Sequence, residues 1–221
     1  MDCCPEPRGY DEVFSTGFSR SMSRRYERRG LSKLAARMVA FLESRGIRDA
    51  TVLEIGGGIG DLHVELLRRG AASATNLELS ANYEAESRAL VERFGLADRV
   101  QTLAVDIART PDTVEAADVV VLNRVVCCYR DVSALLTAAG ERAESLLVFS
   151  HPTYTALNRA LQVLENVGRR VRRQEFRGYL HDPVTMVAAV ESTGLRQVMQ
   201  HRGLIWSIVG FERPAAAMGP T

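Results

Sequence analysis

A glycine-rich loop that follows an acidic residue is the segment of this sequence best suited to chemistry. The loop reads Gly56-Gly57-Gly58-Ile59-Gly60, and Glu54 precedes its first glycine by two residues. Glycines let the main chain turn tightly and let a ligand approach backbone N–H groups. A carboxylate at Glu54 could pair with a positively charged ligand amine, but it would repel a pyrophosphate.

The spacing of the loop excludes two common nucleotide sites. A dinucleotide-binding loop needs a glycine or another small residue at position 61, where Asp61 stands. A phosphate-cradling loop ends in lysine followed by serine or threonine, whereas Asp61-Leu62 follows the last glycine here. The loop therefore predicts a site for a ligand that carries an amine rather than a diphosphate.

Two more acids stand at the ends of predicted strands. Glu78 ends an apolar segment over 74–79, where a carboxylate can accept both hydroxyls of a ribose. Asp106 follows a segment over 100–105 and could accept a hydrogen bond from an adenine amino group. One such acid alone is more often a helix cap. Together with Glu54 beside the glycine loop there are three such acids, and the three predict a ligand that contains a nucleoside.

The elements that position these residues alternate between strands and helices. Apolar residues at helical spacing predict a helix over 31–42 that Gly46 ends. Further along, the predicted strands are 51–55, 74–79, 100–105, 117–122 and 146–150, with helices over 61–69, 82–94 and 133–143. This alternation predicts a parallel sheet with right-handed crossovers, which binds ligands at the carboxyl ends of its strands.

The last third changes character. Helices are predicted over 155–168 and from the Asp182-Pro183 cap to 193. Two strands, 195–200 and 204–211, are close enough along the chain to form an antiparallel hairpin. We expect three parts: an N-terminal arm or lid over 1–30, a domain over 31–213 and a disordered tail over 214–221.

Composition narrows the functional classes. The chain has 221 residues and a net charge of +1, which suits one domain and predicts neither a nucleic-acid partner nor a membrane span. Met1-Asp2-Cys3-Cys4-Pro5 lacks the apolar core of a secretory signal, so we expect a cytoplasmic protein. The four cysteines form two adjacent pairs, Cys3-Cys4 and Cys127-Cys128, which lack the spacing of a metal site and predict free thiols.

The segment over 51–150 resembles the class I methyltransferases that depend on S-adenosylmethionine (SAM). Their pattern, acid-x-Gly-x-Gly-x-Gly, matches 54–60 at every position. The resemblance implies an α/β fold: a Rossmann-like, seven-stranded sheet between helices, parallel except for a C-terminal antiparallel hairpin, with an N-terminal helical arm. It also implies an enzyme that methylates a small molecule and releases S-adenosylhomocysteine (SAH).

The resemblance assigns parts of the cofactor to residues. Glu54 and the glycines would hold the methionine part, Glu78 the ribose hydroxyls and Asp106 the adenine. The implied cofactor-binding residues are Glu54, Gly56, Gly57, Gly58, Gly60, Glu78, Leu79, Asp106, Ile107, Asn123 and Arg124. Within the family, segments 10–30 and 119–131 resemble the magnesium-protoporphyrin O-methyltransferases, through an aromatic Gly-Tyr-Asp arm and a Val-x-Cys-Cys-Tyr segment.

Two residues are candidates for catalysis. Methyl transfer from a sulfonium is an in-line displacement, so a general base is needed only if the acceptor must lose a proton. His151 follows the predicted fifth strand and could be a base near neutral pH, unless it is a surface histidine before Pro152. Tyr129 could position the substrate or simply pack. His63, on the helix after the glycine loop, is predicted to face solvent.

Two arginine clusters raise the option of an anionic acceptor. The arm carries Arg20, Arg24 and Arg25 among its aromatic residues, and Arg169, Arg170, Arg172 and Arg173 follow a predicted helix. The second cluster also suits the carboxyl end of a helix dipole and needs no ligand there. An anionic acceptor is favoured if both clusters border the mouth of the site.

Three other functions stay open. The first is methylation of RNA or protein. Two features argue against it: the net charge is near neutral, and the segment Asn123-Arg124-Val125-Val126 stands where many amine methylases have Asn-Pro-Pro-aromatic. The second is a non-catalytic protein of this fold that binds or scaffolds. The third is metalloid or thiol chemistry at Cys127 and Cys128. The sequence leaves the oligomeric state undetermined.

Overall fold

The computed structural model describes residues 9–215, which form one seven-stranded sheet with helices on both faces. The strands are β1 (Thr51–Ile55), β2 (Ser73–Leu77), β3 (Val100–Leu103), β4 (Ala117–Leu122), β5 (Ala143–Pro152), β6 (Arg196–Arg202) and β7 (Trp206–Glu212). Their order across the sheet is β3-β2-β1-β4-β5-β7-β6. The first five strands are parallel, and β7 is antiparallel to both of its neighbours. The predicted fold, with its C-terminal antiparallel hairpin, is confirmed.

Eight helices surround the sheet within the described residues. They are α1 (Tyr10–Val13), α2 (Thr16–Arg29), α3 (Lys33–Arg45), α4 (Asp61–Arg68), α5 (Glu84–Arg93), α6 (Val132–Glu141), α7 (Ala156–Val171) and α8 (Pro183–Glu191). Short 3-10 helices cover Ala81–Tyr83, Ala97–Arg99, Pro111–Thr113 and Val126–Cys128. Side chains at several amino ends cap free N–H groups: Ser15 caps α2, Ser32 caps α3 and Asp182 caps α8.

The core lies on the two faces of the sheet, and β4 contributes to both. Val119 and Val121 pack with residues of α3, α4 and α5, whereas Val120 and Leu122 pack with residues of α6 and α8. All four side chains are at most 1% exposed. This burial explains why the strand is continuously apolar rather than alternating.

Several predicted boundaries need correction. β2 ends at Leu77 and β3 at Leu103, so Glu78 and Asp106 lie in the segments that leave these strands rather than at their last positions. The helix predicted over 82–94 begins with a 3-10 turn and becomes α-helical at Glu84. The fifth strand runs to Pro152, because β7 pairs with it along that whole length.

Some expectations fall partly outside the described residues. Cys3 and Cys4 lie there, as does the predicted tail beyond residue 215. Within residues 9–215, no helix is long and apolar enough to cross a bilayer.

The chain order reverses between β1 and β4, which places a crevice at their carboxyl ends. β1 pairs with β2 on one side and with β4 on the other, so the segments that leave these two strands diverge. Such a reversal is where open α/β sheets bind their ligands.

Candidate functional site

A deep cleft lies at this reversal, beneath the N-terminal arm. Its walls come from the segments that follow β1, β2, β3 and β4 and from α1 and α2, and it holds about 1170 Å³ measured with its open mouth. The cleft brings together the predicted cofactor residues except Gly60: Glu54, Gly56, Gly57, Gly58, Glu78, Leu79, Asp106, Ile107, Asn123 and Arg124.

The glycine loop has a backbone that side chains would not tolerate. Gly56 has φ +66° and donates its N–H to the carbonyl of Leu77 at 2.6 Å. A Cβ at Gly56 would lie 2.6 Å from the Cγ2 of Val125, in the segment that follows β4. Glycine is therefore needed both for the left-handed turn and for the close approach of two cleft walls. Gly60 has φ +81° and lies at the N-cap of α4, which begins at Asp61.

Glu54 is buried at the base of the cleft and is held by a histidine. Its Oε2 accepts bonds from the backbone N–H of His63 at 3.1 Å and lies 2.8 Å from Nδ1 of the His63 ring. No hydrogen-bond donor among residues 9–215 reaches the second oxygen, Oε1. The prediction that His63 faces solvent is wrong: the side chain is fully buried, because α4 packs most of its surface into the core.

Glu78 is fixed by the backbone of the loop that it faces. Its Oε2 accepts a hydrogen bond from the N–H of Gly58, and its Oε1 accepts one from the N–H of Ser80, both at 2.8 Å. Burial raises the pKa of Glu78, and these N–H donors oppose the rise. Because each carboxylate oxygen can accept two hydrogen bonds, the group can still accept two hydroxyls from a ligand.

Asp106 is paired with Tyr129 across the cleft. The phenol donates to Oδ1 and Oδ2 of Asp106, 3.0 Å from each, and the N–H of Ala108 donates to Oδ1 at 3.2 Å. Burial, and then the charge of Asp106, raise the pKa of Tyr129 above its ordinary value. A protonated phenol that is already bound to a carboxylate is poorly placed to act as a base.

Aromatic residues of the arm form one wall of the cleft. The ring of Phe14 lies 5.7 to 6.1 Å, centroid to centroid, from the rings of Phe18, Tyr83 and Phe176. The hydroxyl of Tyr10 donates to the carbonyl of Cys128 at 3.0 Å. These contacts tie the arm to three separate segments around the cleft. The sequence indicated an aromatic arm but gave no signal for Tyr83 or Phe176.

Charged residues gather in the same cleft near α4. Asp61, Arg25 and Arg124 all line it. Burial, and then the charge of Glu54, raise the pKa of Asp61 to about 6, and Arg25 opposes this rise. Burial, and then Arg25, lower the pKa of Arg124. Sequence reasoning used Asp61 only to exclude a dinucleotide loop and placed Arg25 only within a cluster.

Arg124 adopts a backbone conformation that is uncommon for its type. Its φ is +63°, its N–H donates to Oγ of Ser150 at 2.8 Å, and its guanidinium lies 5.1 Å from the centre of the Trp206 ring. Ser150 in turn donates to Oδ1 of Asn123 at 3.0 Å. Strained residues of this kind gather at functional sites. Ser150, which the sequence did not single out, thus positions the segment after β4.

His151 does not follow the fifth strand, as the sequence predicted. It lies within β5, opposite Ser207 of β7, and is 3% exposed. Its Nδ1 lies 2.9 Å from the carbonyl oxygen of Pro152, and burial lowers its pKa. His151 is absent from the cleft lining. The predicted position of His151 is wrong because the pairing of β5 with β7 extends the strand past this residue.

Cys127 and Cys128 lie beside the cleft with different environments. Their Sγ atoms are 3.8 Å apart, and both lie within 3.7 Å of the carbonyl oxygen of Arg124. The bond between the thiols lowers the pKa of Cys127 and raises that of Cys128 well above the ordinary value. Cys128 lines the cleft.

The second arginine cluster does not border the cleft. Arg169 stacks over Phe176, with its guanidinium 4.6 Å from the ring centre, and Arg172 lines a separate cavity with Glu12 and Gln174. The condition that both clusters border the mouth is therefore not met. The cations in the cleft lining are Arg25, from the arm, and Arg124.

Comparison with known sequences finds a family profile and a relative. A profile of the methyltransferase domain matches residues 23–205. The ribosomal protein L11 methyltransferase of Aeromonas hydrophila subsp. hydrophila is 31% identical over 121 residues, which are 55% of this chain and 40% of that protein. The chain thus covers less than half of the length of this relative.

Two solved structures share the fold. The magnesium protoporphyrin IX methyltransferase of Synechocystis PCC 6803, solved with bound SAH, superposes with a TM-score of 0.70 at 20% identity, over 92% of this chain and 97% of that one. An O-methyltransferase family protein of Burkholderia thailandensis superposes with a TM-score of 0.71 at 20% identity, over 95% of this chain and 64% of that one.

Proposed function

The chain belongs to the methyltransferase domain family, and we propose that it transfers a methyl group from SAM to a small-molecule acceptor. The observation that carries this proposal is the cleft, where Glu54, Glu78 and Asp106 lie beside the glycine loop at the ends of three neighbouring strands. Together these groups suit a ligand that combines an amino acid with a nucleoside.

The residues of the cleft fit the parts of SAM. Glu78, beside Leu79, would accept the ribose hydroxyls, since its carboxylate is held by N–H donors and keeps acceptor capacity. Asp106, with the backbone of Ile107, would hold the adenine. Glu54 would accept the amino group of the methionine part at its second oxygen, beside the main chain of Gly56–Gly60.

The carboxylate of the methionine part needs positive charge. Arg25 and Arg124 would hold the carboxylate of its methionine part, with the amide of Asn123 alongside. Asp61 lies in the same region and would share the amino group with Glu54. These assignments match each charged end of an amino acid with side chains of opposite charge.

SAM would supply an electrophilic methyl group on a sulfonium: the acceptor bonds to the methyl carbon in line with the sulfur, the carbon–sulfur bond breaks and SAH leaves. The chain orients this reaction rather than taking part covalently. The ring of Tyr83 lies against Gly58 and packs on Phe14, so the two rings would exclude water from this part of the cleft. The Tyr129 phenol fixes Asp106. The arm would thus act as a lid.

The positions of the two candidate bases bear on the acceptor. His151 lies outside the cleft lining, and the phenol of Tyr129 is protonated and bound to Asp106. We therefore favour an acceptor that attacks without a protein base, such as a carboxylate, a thiolate or a neutral amine.

A macromolecular acceptor is the second candidate, because the curated relative from Aeromonas hydrophila is named for methylation of a ribosomal protein. Against it, the arm covers the cleft through the contacts of Tyr10 and Phe14, so a folded protein would have to displace both. A small acceptor can enter through the open mouth.

The test is to incubate the protein with tritiated SAM and a cell extract separated by ultrafiltration into small molecules and macromolecules. The proposal predicts a labelled product in the small-molecule fraction that chromatography separates from SAM, and no such product with a Glu78→Ala variant. Transfer of label to protein or RNA alone would overturn the small-molecule acceptor. Absence of a labelled product from both fractions, despite SAH binding, would favour the binding or scaffold function.

A further inference from the structure

The helix α7 is oriented with its polar side against the protein. Asn166 donates to the carbonyl of Gly178 at 2.8 Å and accepts from its N–H at 3.0 Å. Asn158 donates to the carbonyl of Thr153 at 2.8 Å. With Arg169 over the ring of Phe176, these residues recur at helical spacing and form the inner side of α7.

The outer side of α7 is apolar and exposed. Its large apolar residues are 48% to 77% exposed, and no residue of the helix is buried. This is the reverse of an ordinary surface helix, which turns its apolar side to the core. A continuous exposed apolar surface marks an interaction site. We call this surface the α7 apolar face; it consists of Leu157, Leu161, Val163, Leu164, Val167 and Val171.

A second apolar projection lies at the amino end of α7. The turn between β6 and β7 carries Leu204 and Ile205, which are 94% and 65% exposed. The N–H of Thr153 donates to the carbonyl of Ile205 at 2.8 Å, which fixes this turn just before the start of α7. The apolar surface thus extends beyond the helix itself.

Positive charge borders the α7 apolar face. Arg159 and Arg170 are exposed at one edge of the apolar arc, and Arg172 and Arg173 follow the end of the helix. Among residues 9–215, no carboxylate forms an ion pair with any of these four arginines. At the other edge, Glu165 is paired with Arg169 at 3.6 Å. Exposed apolar residues beside unpaired arginines are typical of a surface that docks on anionic lipid.

A second copy of the chain is a poorer match for this charge. A two-fold contact through α7 would be antiparallel and self-complementary. It would bring Arg159 of one copy towards the Arg170 end of the other, so like charges would meet. An anionic bilayer instead satisfies the arginines and the apolar residues together.

We propose that the α7 apolar face docks on the surface of a membrane that contains anionic lipid, with the helix lying in the plane of the interface. Because Phe176 packs on Arg169 and also on Tyr10 and Phe14, the docked helix lies next to the arm that covers the cleft. Docking of α7 does not depend on methyl transfer.

Vesicle flotation tests this proposal with the full chain. The wild type should float with vesicles of phosphatidylcholine and phosphatidylglycerol and stay at the bottom with phosphatidylcholine alone. The double variant Leu161→Asn, Leu164→Asn should stay at the bottom with both. Replacing Arg159 and Arg170 with glutamine should weaken binding roughly fivefold for each arginine. Val184→Asn is the matched control, since Val184 is 74% exposed on another helix.

Thermal melting by circular dichroism shows whether each variant is folded. The proposal is overturned if the wild type stays at the bottom with anionic vesicles, or if the folded leucine variant floats as the wild type does. Equal flotation with both vesicle types would contradict the proposed preference for anionic lipid and the role of the arginines in it. If sedimentation shows a wild-type dimer that the leucine variant loses, and neither protein floats, a second copy covers the face instead.

Discussion

The phenol of Tyr129 lies 3.0 Å from both carboxylate oxygens of Asp106. This bond joins the segment after β4 to the segment after β3 across the cleft, at the place where we propose that the adenine binds. It gives Tyr129 a positioning role rather than a catalytic one, and the two roles predict different kinetics.

Replacing Tyr129 with phenylalanine should weaken SAH binding roughly tenfold, since a hydrogen bond to a charged group contributes about 1.5 kcal/mol. Turnover at saturating SAM should change little, which titration calorimetry and initial rates can separate. Tyr154→Phe is the control, because Tyr154 is exposed and outside the cleft lining. Unchanged binding with abolished turnover would restore a catalytic role.

Asp61 should destabilise the protein near neutral pH. Its pKa is raised from 3.8 to about 6, so the folded state holds the proton more tightly than the unfolded state, and stability falls as pH rises from about 4 to about 6. Asp61→Asn should therefore stabilise the ligand-free protein by roughly 1–3 kcal/mol at about pH 7.5, and by little at about pH 4. Urea unfolding at both pH values measures the change in stability. An equal effect of the substitution at the two pH values would contradict the raised pKa of Asp61.

Phe14 should contribute to cofactor binding through the arm. Phe14→Ala removes the ring that contacts Phe18, Tyr83 and Phe176, so SAH affinity should fall and proteolysis within α1 and α2 should accelerate. Ser21→Ala, an exposed change on the same arm, should alter neither. If Phe14→Ala leaves the affinity unchanged, the arm is not a lid.

The two thiols beside the cleft should differ in reactivity. The pKa of Cys127 is lowered and that of Cys128 is raised, so iodoacetamide at about pH 7 should alkylate Cys127 before Cys128, as peptide mapping can show.

The double variant Cys127→Ser, Cys128→Ser should still methylate, because the proposed reaction uses neither thiol. Loss of turnover with intact SAH binding would favour thiol or metalloid chemistry.

The clustering of the proposed cofactor residues in one cleft could be predicted because their signals are local. The glycine loop, the apolar run of β4 and the acids Glu54, Glu78 and Asp106 are read from short segments, and the rules for parallel sheets bring them together. The position of His151 depends instead on tertiary pairing. His151 was misplaced because β7 determines how far β5 extends, and no local pattern shows that.

The burial of His63 and the orientation of α7 were missed for a related reason. The helical spacing predicts that each residue lies on a helix, but not which side of the helix meets the core. His63 is buried because it bonds with Glu54, a contact between two elements. In α7, asparagine side chains bond with Gly178 and Thr153 and turn the apolar side outwards, against the usual rule.

Calorimetric titration of the full chain with SAH tests the central claim most directly. Glu78→Ala removes the carboxylate that Gly58 and Ser80 hold in the cleft, and Glu84→Ala, an exposed change in the next helix, is its matched control. We predict that the wild type and the control bind SAH with equal affinity, and that Glu78→Ala binds at least roughly tenfold more weakly. Equal binding by all three proteins, or no binding by the wild type, would contradict the proposed cofactor site.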